Sequence, residues 1–283
     1  MLPADFDQWT NVTYIEPFIG GGAMLFHMLQ THPNISRAII NDINPKLTNC
    51  YRVIKEKPSE LINLLRKYQD EYFSLTSEET RKEYYLRRRD EFNSPQNDIV
   101  LAGLFIFINR TCFNGLYREN RKGIYNVPFG KTENPTICDA ETILADNALL
   151  QNVEILTGQY FQTLPFANGR TIFYFDPPYR PLSDTSSFND YTKQPFNDDA
   201  QIHLKQFCDT VHEKGFHFML SNSDCLGKNE TDRFFDDLYK DYNIGRVWAR
   251  RSVNSIASKR GKLTELLIRN YDSEYNNIFH QTI

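Results

Sequence analysis

The stretch VTYIEPFIGGGAMLFHMLQ, from Val12 to Gln30, reads as a short apolar strand, a glycine turn and a helix. Val12 to Ile15 have the apolar density of a buried strand, Gly20 to Gly22 interrupt it, and Met24, Leu25, Met28 and Leu29 return at helical spacing. A strand that turns through glycines into a helix is a unit of an α/β sheet, and glycines there let a ligand approach the backbone closely. The spacing is not the full dinucleotide fingerprint. Glu16, at the strand end, would also face a bound phosphate with like charge, and it suits a ligand with a cationic amino-acid portion better. On this segment alone, a bound ligand and a plain tight turn with a surface acid are equally good readings.

The segments on either side extend the pattern. RAIINDIN is a second buried strand ending at an acid, Asp42, which can accept hydrogen bonds from a ribose diol. S-adenosylmethionine carries both a ribose and a cationic amino-acid portion. NVEILTG, TIFYFDPPY and HFMLSNSD supply further strands, and IGRVWARRSVNS and LTELLIRNY read as terminal strands. With helices between them, such strands predict a parallel sheet with its loops at the carboxyl edge. From Pro45 to Asn97 the pattern is helical, and Arg87 to Arg89 read as a solvated helix face. DIVLAGLFIFINRTCFNG is dense enough for a strand but long enough to be a buried helix, and GLYRENRKGIYNVPFGK fits a hairpin around Gly123. The expected architecture is α/β, with a core of residues 1–45 and 145–283 interrupted over 46–144 by a helical insertion bearing a β-hairpin.

A chain of 283 residues can bury one large elaborated core. Its five cysteines lack metal spacing and fit reduced thiols, and no leader pattern or apolar run approaches the roughly 20 residues that span a bilayer. These features predict a cytoplasmic protein with no membrane partner. The formal net charge is -4, a weak argument against nucleic acid, since an average hides local fields. Arg246 to Lys262 contains no acid, and RENRKGIYNVPFGK adds a second basic stretch. The histidines show no metal pattern, so no metal is expected.

The segment IFYFDPPYRPLSDTSSF ends an apolar run in an acid, two prolines and an aromatic. Proline fixes the backbone and carries no amide hydrogen. Asp176 and the Pro177 carbonyl can each accept a hydrogen bond from one amino group, while Tyr179 offers a face to a planar base. An exocyclic amine is a poor nucleophile because its lone pair is delocalised, and two acceptors around it favour the tetrahedral geometry from which that lone pair attacks a methyl sulfonium. A proline-rich exit turn capped by a buried tyrosine accounts for the same residues equally well.

Taken together, EPFIGGG, DIN, NRTCFNGLYRENRKGIYNVPFG and DPPYRPLSDTSSFNDY resemble the DNA adenine-N6 methyltransferases of the GATC-methylating type, the alpha-group, D12 class, from Tyr14 to Tyr271. The resemblance implies a Rossmann-like class I methyltransferase sheet, S-adenosylmethionine as methyl donor, and a mainly helical target-recognition insertion. Its substrate would be double-stranded DNA with a flipped adenine, methylated at N6 within GATC. It also brings in a cognate restriction endonuclease as a partner in the same system. On this basis Glu16, Pro17, Phe18, Gly20 and Gly22 match the cofactor loop, Asp42 the ribose-binding acid, and Ile43 a neighbour of the cofactor adenine. Asp176, Pro177, Pro178 and Tyr179 match the catalytic tetrad, with Asp176 also beside the cofactor and Phe188 and Tyr191 in the adjoining loop. Asn114, Leu116, Tyr117, Arg118, Asn120 and Pro128 fall in the region that reads the site, where a guanidinium can contact guanine O6 and N7 in a bidentate manner. Arg121, Lys122 and Lys131 are expected phosphate contacts, as are Arg250, Arg251, Lys259 and Arg260 of the acid-free segment.

Two departures from the family pattern stand out. A KWAGGK-like segment normally precedes the first core strand, whereas this chain opens MLPADFDQW; the alternative expectation is therefore a catalytically impaired DNA-binding remnant. Gln159 stands where an acid often contacts the cofactor adenine, and a glutamine can still accept a hydrogen bond there.

Overall fold

The computed structural model describes residues 1–180, 196–227, 229–249 and 263–273. Seven strands form one sheet: β1 (Val12–Glu16), β2 (Ile35–Asp42), β3 (Val153–Thr157), β4 (Thr171–Phe175), β5 (His217–Ser223), β6 (Asn243–Ala249) and β7 (Leu263–Arg269). Their order is β3-β2-β1-β4-β5-β7-β6. β1 pairs in parallel with β2 and with β4, and β4 with β5, so the strand order reverses between β1 and β4. That reversal is where open α/β sheets hold ligands, outside the carboxyl ends of the strands. The architecture is the expected Rossmann-like one, but the sheet is not parallel throughout. β7 runs antiparallel to both β5 and β6, because consecutive strands whose facing ends, Ala249 and Leu263, are register partners pair as antiparallel neighbours.

By described residues, the chain divides into one compact unit of 1–41, 159–180 and all described positions from 196 onward, and a second unit of 42–158. In the first, β1 and β4 are buried along their whole length. Side chains alternate between the two faces of a strand, so Phe173 and Phe175 share one face. There Phe207 of α7 (Asp198–Glu213) meets them edge-on at 6.4 and 5.9 Å. Tyr14, Glu16 and Tyr174 take the opposite face, since the register sets Tyr14 beside Ile172. The turn after β1 leads into α1 (Ala23–Thr31), whose N-cap Gly22 has φ 75°, a left-handed conformation that favours glycine. Asn197 caps α7 by accepting from the Ala200 amide.

The second unit contains α2 (Pro45–Glu56), α3 (Pro58–Ser74), α4 (Glu78–Phe92), α5 (Asp98–Thr111) and α6 (Ala140–Leu150). Asn44, Ser77 and Asn97 supply side-chain caps to α2, α4 and α5. Leu61, Leu65, Tyr72, Tyr85, Leu104 and Phe107 form its core; each such side chain contributes about 1.5–3 kcal/mol when fully buried. The apolar run from Asp98 is the helix its length predicted.

The hairpin expectation needs correction. Residues 112–130 form isolated antiparallel bridges, Cys112 to Phe129 and Glu119 to Tyr125, rather than two continuous strands. Local side chains take over the backbone groups: Asn120 Oδ1 accepts from the Lys122 and Ile124 amides, and Asn93 brackets Tyr125. A Cβ at Gly130 would collide with the Cys112 carbonyl, so that bridge requires glycine. The solvated arginine face is also corrected, since only Arg87 is exposed. Arg88 stacks over Tyr68 and Tyr84 and bonds Glu71 and Glu91, and Arg89 donates to the Val127 carbonyl.

Candidate active site

β1 delivers Glu16 to the carboxyl edge of the sheet, where it is 2 % exposed. Tyr14, two residues earlier on the same face, donates its hydroxyl to Glu16 Oε2 at 2.8 Å, and the Leu25 amide donates to the same carboxyl group. Desolvation outweighs those bonds and, with the nearby Asp176 charge, pushes the Glu16 pKa up to about 8. Glu16 is therefore mostly protonated at neutral pH unless a cation joins it. The glycine turn beyond it is open. A Cβ at Gly20, where φ is 47°, or at Gly21 would meet nothing within 4 Å. Phe18 stacks on Tyr160 at 5.3 Å and meets Phe196 edge-on at 5.8 Å, while the buried Pro17 receives the Asn41 side-chain amide on its carbonyl. Open space above glycines, beside a buried acid awaiting a cation, fits the amino-acid portion of S-adenosylmethionine.

β4 ends in the acid and its prolines. Asp176 reaches solvent. The protein massed around it still desolvates the carboxyl and raises its pKa, an effect opposed by hydrogen bonds from Ser221 and Tyr179. Ser221 Oγ donates to Asp176 Oδ1 at 2.7 Å. Among the described residues nothing donates to the Pro177 carbonyl, whereas the Pro178 carbonyl accepts from Gln201 of α7 at 3.0 Å. The Tyr179 hydroxyl points to Glu265 of β7, at 3.5 Å. Arg180 anchors the exit of the turn. Its amide donates to Asn222, its carbonyl accepts from Ser223, and its guanidinium pairs with Asp198 and Asp232 and lies over Phe234, the first residue of α8 (Phe234–Leu238). The acid–proline turn is thus fixed from β5 and from α7.

The remaining sequence-selected positions fall as follows. Asp42 ends β2, its carboxylate accepting from the Asn44 amide at 2.9 Å, and Ile43 is 61 % exposed. The Gln159 amide donates to Gln162 Oε1 at 3.1 Å. In the 112–130 segment Asn114, with φ 55°, Leu116 and Tyr117 are exposed; Tyr117 donates to Glu119, which also pairs with Lys46. Arg118 is braced by Asn126 through bonds to its side chain and its carbonyl. Asn120 shapes the turn that carries the exposed Arg121 and Lys122. The Pro128 carbonyl accepts from the Phe113 amide, and Lys131 pairs with Glu78 at 2.6 Å. Arg246, which opens the acid-free segment, bonds Asp224 and Asp236, so the acids that neutralise it come from other elements. Phe188, Tyr191, Arg250, Arg251, Lys259 and Arg260 lie outside the described residues.

The sequence reading did not single out Ser221, Tyr14, Tyr174 or Gln201. The only signal for Ser221 was that HFMLSNSD ends in small polar residues, an unusual finish for a buried strand. Among the described residues, no group of three or more histidine, cysteine or acidic side chains could hold a metal, and no helix is long and apolar enough to cross a membrane.

Comparison with known proteins identifies the family. Residues 1–253 match the family model of the D12 class N6 adenine-specific DNA methyltransferases. The Type II methyltransferase M.MjaIII of Methanocaldococcus jannaschii is 44 % identical over 274 residues, covering 95 % of this chain and 92 % of that protein. The Type II methyltransferase M1.LlaDCHI of Lactococcus lactis is 38 % identical, with 91 % and 86 % covered. The DNA adenine methylase of Escherichia coli K12 is 32 % identical, with 89 % and 84 % covered.

Proposed function

The chain belongs to the D12 class N6 adenine-specific DNA methyltransferases, and from that premise we propose that it uses S-adenosylmethionine to methylate adenine N6 within GATC in duplex DNA. The observation that carries the reading is the end of β4, where a solvent-reaching Asp176, fixed by Ser221, sits beside a Pro177 carbonyl with no other donor among the described residues.

These two acceptors take the two hydrogens of the target amine and turn its lone pair outward. When bound, S-adenosylmethionine supplies an electrophilic methyl group on a positively charged sulfur. The N6 lone pair would accept that methyl group, with the electron pair of its former bond remaining on the departing donor. Positive charge grows on N6, where the Asp176 carboxylate stabilises it, and the surplus proton then leaves to solvent. Glu16 is assigned to the cationic amino group of the donor and Asp42 to its ribose. Gln159 and Ile43 are carried over as contacts to its adenine.

Reaching the amine requires the adenine to leave the duplex, at a cost of a few kcal/mol. We assign residues 46–144 to target recognition. Arg118 is the guanine reader: its brace to Asn126 restricts the guanidinium before DNA arrives. Arg121, Lys122 and Lys131 contact phosphates; Lys131 must first exchange Glu78 for its phosphate. Two relatives are named Type II methyltransferases, which supports a restriction endonuclease of matching specificity as a partner.

The test supplies labelled S-adenosylmethionine to the purified chain with GATC and scrambled duplexes, RNA and protein. Label recovered as N6-methyladenine in the GATC duplex alone is expected. Transfer to other DNA sequences would overturn the Arg118 assignment, transfer to RNA or protein would overturn the substrate class, and DNA binding without cofactor binding would restore the remnant reading.

A further inference from the structure

Ser221 is 7 % exposed at the end of β5, and its hydroxyl lies within hydrogen-bond distance of three oxygens. Asp176 Oδ1 is at 2.7 Å, the Tyr174 hydroxyl at 3.2 Å and the Phe175 carbonyl at 3.3 Å. A serine hydroxyl has one proton to donate and lone pairs to receive others. The shortest contact leads to the group that carries charge, so the proton goes to Asp176, since bonds to ionised acceptors are shorter and stronger than neutral ones. Tyr174 then has one productive role with this hydroxyl, donating to the serine lone pair. The result is a directed chain from Tyr174 through Ser221 to Asp176, in which each bond polarises the next.

We propose that Ser221 is a positioning residue for methyl transfer: it holds Asp176 Oδ1, fixes the plane of the carboxylate and leaves Oδ2 as the acceptor for the target amine, with Tyr174 holding Ser221 in turn. The inference rests on the reading of Asp176 given above. Strand register supports it independently. Tyr174 pairs with Met219, and Ser221 lies two residues further on the same face, level with the carboxyl end of β4. No other side chain of β5 bonds Asp176 among the described residues. Among the described residues, the titratable groups facing the carboxylate are Tyr14 and Glu16 from β1, Tyr174 from β4 and Tyr179 from the turn, with Glu265 of β7 acting on the two tyrosines Tyr174 and Tyr179. Of these, Tyr179 is the other hydrogen-bond donor to Asp176, but its hydroxyl also approaches Glu265. Tyr179 also hydrogen-bonds Ser221, and the 2.7 Å bond from Ser221 is the short donor contact that holds Asp176 Oδ1.

The sign of the pH effect follows from the bond. Ser221 lowers the pKa of Asp176 by stabilising its ionised form. Removing the hydroxyl raises that pKa, and the acidic limb of the kcat profile moves to higher pH.

The experiment measures methyl transfer to duplex DNA by Ser221→Ala, Ser221→Thr, Tyr174→Phe and Asp176→Asn, with kcat, both KM values and the pH dependence of kcat for each. Ser221→Ala is expected to lower kcat by roughly 10- to 100-fold, the scale of one hydrogen bond to a charged group, with KM for DNA and for S-adenosylmethionine within about threefold of wild type and the acidic limb displaced upward. Ser221→Thr keeps a hydroxyl on a branched carbon and restores most of the turnover. Tyr174→Phe shifts the limb in the same direction by less. An unchanged kcat and limb in Ser221→Ala overturns the proposal, as does a loss shared by kcat and KM that threonine does not rescue. Should Ser221→Ala fail to fold, the displacement of the limb in Tyr174→Phe decides the matter. Asp176→Asn separates the two layers. If it retains turnover, the catalytic reading of Asp176 fails whatever Ser221 does; if it loses turnover while Ser221→Ala is normal, only the positioning role fails.

Discussion

β1 and β4 end in the same four-residue pattern, Tyr-Ile-Glu-Pro at 14–17 and Tyr-Phe-Asp-Pro at 174–177, and the two ends do opposite things with it. On β1 the tyrosine bonds the acid of its own strand, and the carboxyl is buried and largely protonated at neutral pH. On β4 the tyrosine turns instead to Ser221, which serves the acid from the next strand, and that acid stays in reach of solvent. The shared tyrosine–acid–proline pattern places a carboxyl at a sheet edge; the neighbouring strand decides how it is charged. On the proposed reading, the buried acid without a cationic partner receives one with the methyl donor, and the solvent-reaching acid held by a neutral donor accepts a hydrogen bond from the neutral target amine.

The largest expected effect comes from destroying the β4 end. Asp176→Ala should cut methyl transfer by on the order of 10²–10³-fold, as removal of a preorganised electrostatic partner does, while duplex affinity in a gel-shift assay stays near wild type. The β1 end should respond in binding instead. Glu16→Gln keeps the shape and the acceptor for Tyr14 but cannot ionise, so calorimetry should show S-adenosylmethionine affinity reduced about 10- to 100-fold. Between pH 6 and 7.5 the wild-type affinity should rise with pH while that of the variant stays flat. The same slope in both proteins would erase the contrast between the strands.

The smallest effect is on stability. The folded state holds the Glu16 proton up to about pH 8, whereas the unfolded chain releases it near 4.5, the unperturbed value. Between those values the folded state binds more protons, so this group's stabilisation is complete below the lower value and is lost as pH rises through the upper one. Denaturant midpoints of the apo protein should fall across that window relative to Glu16→Gln. Tyr14→Phe should lower stability by about 1 kcal/mol, a melting shift of about 2 °C, and extend the same dependence to higher pH by removing a bond that favours the charged form.

Much of the fold was legible because local chemistry agreed with tertiary context. The turn from Glu16 to Gly22, the buried strand into Asp176 and the helix from Asp98 are each specified by residues close together in the chain. The failures share one cause. Arg88 looked solvated in a charged helix, but Tyr68, Tyr84 and Glu71 receive its guanidinium, two of them from another helix. Arg246 begins a segment without acids, but Asp224 and Asp236 neutralise it. Ser221 had no periodicity to announce it, because its role depends on the register of β5 against β4. The 112–130 segment read as a hairpin because its apolar residues flank a glycine turn, while the asparagines that replace the ladder carry no strand pattern.

The antiparallel placement of β7 bears on how the protein is made. β7 lies between β5 and β6 in space but follows both in the chain. During synthesis, β5 can pair with β4 while its other edge still lacks a neighbour, and that edge closes only after residues 263–269 emerge. A chain released earlier would carry the Asp176 turn and Ser221 on a sheet with an unpaired strand edge, and without Glu265 opposite Tyr179. Such fragments present a template for pairing with other chains rather than a working enzyme.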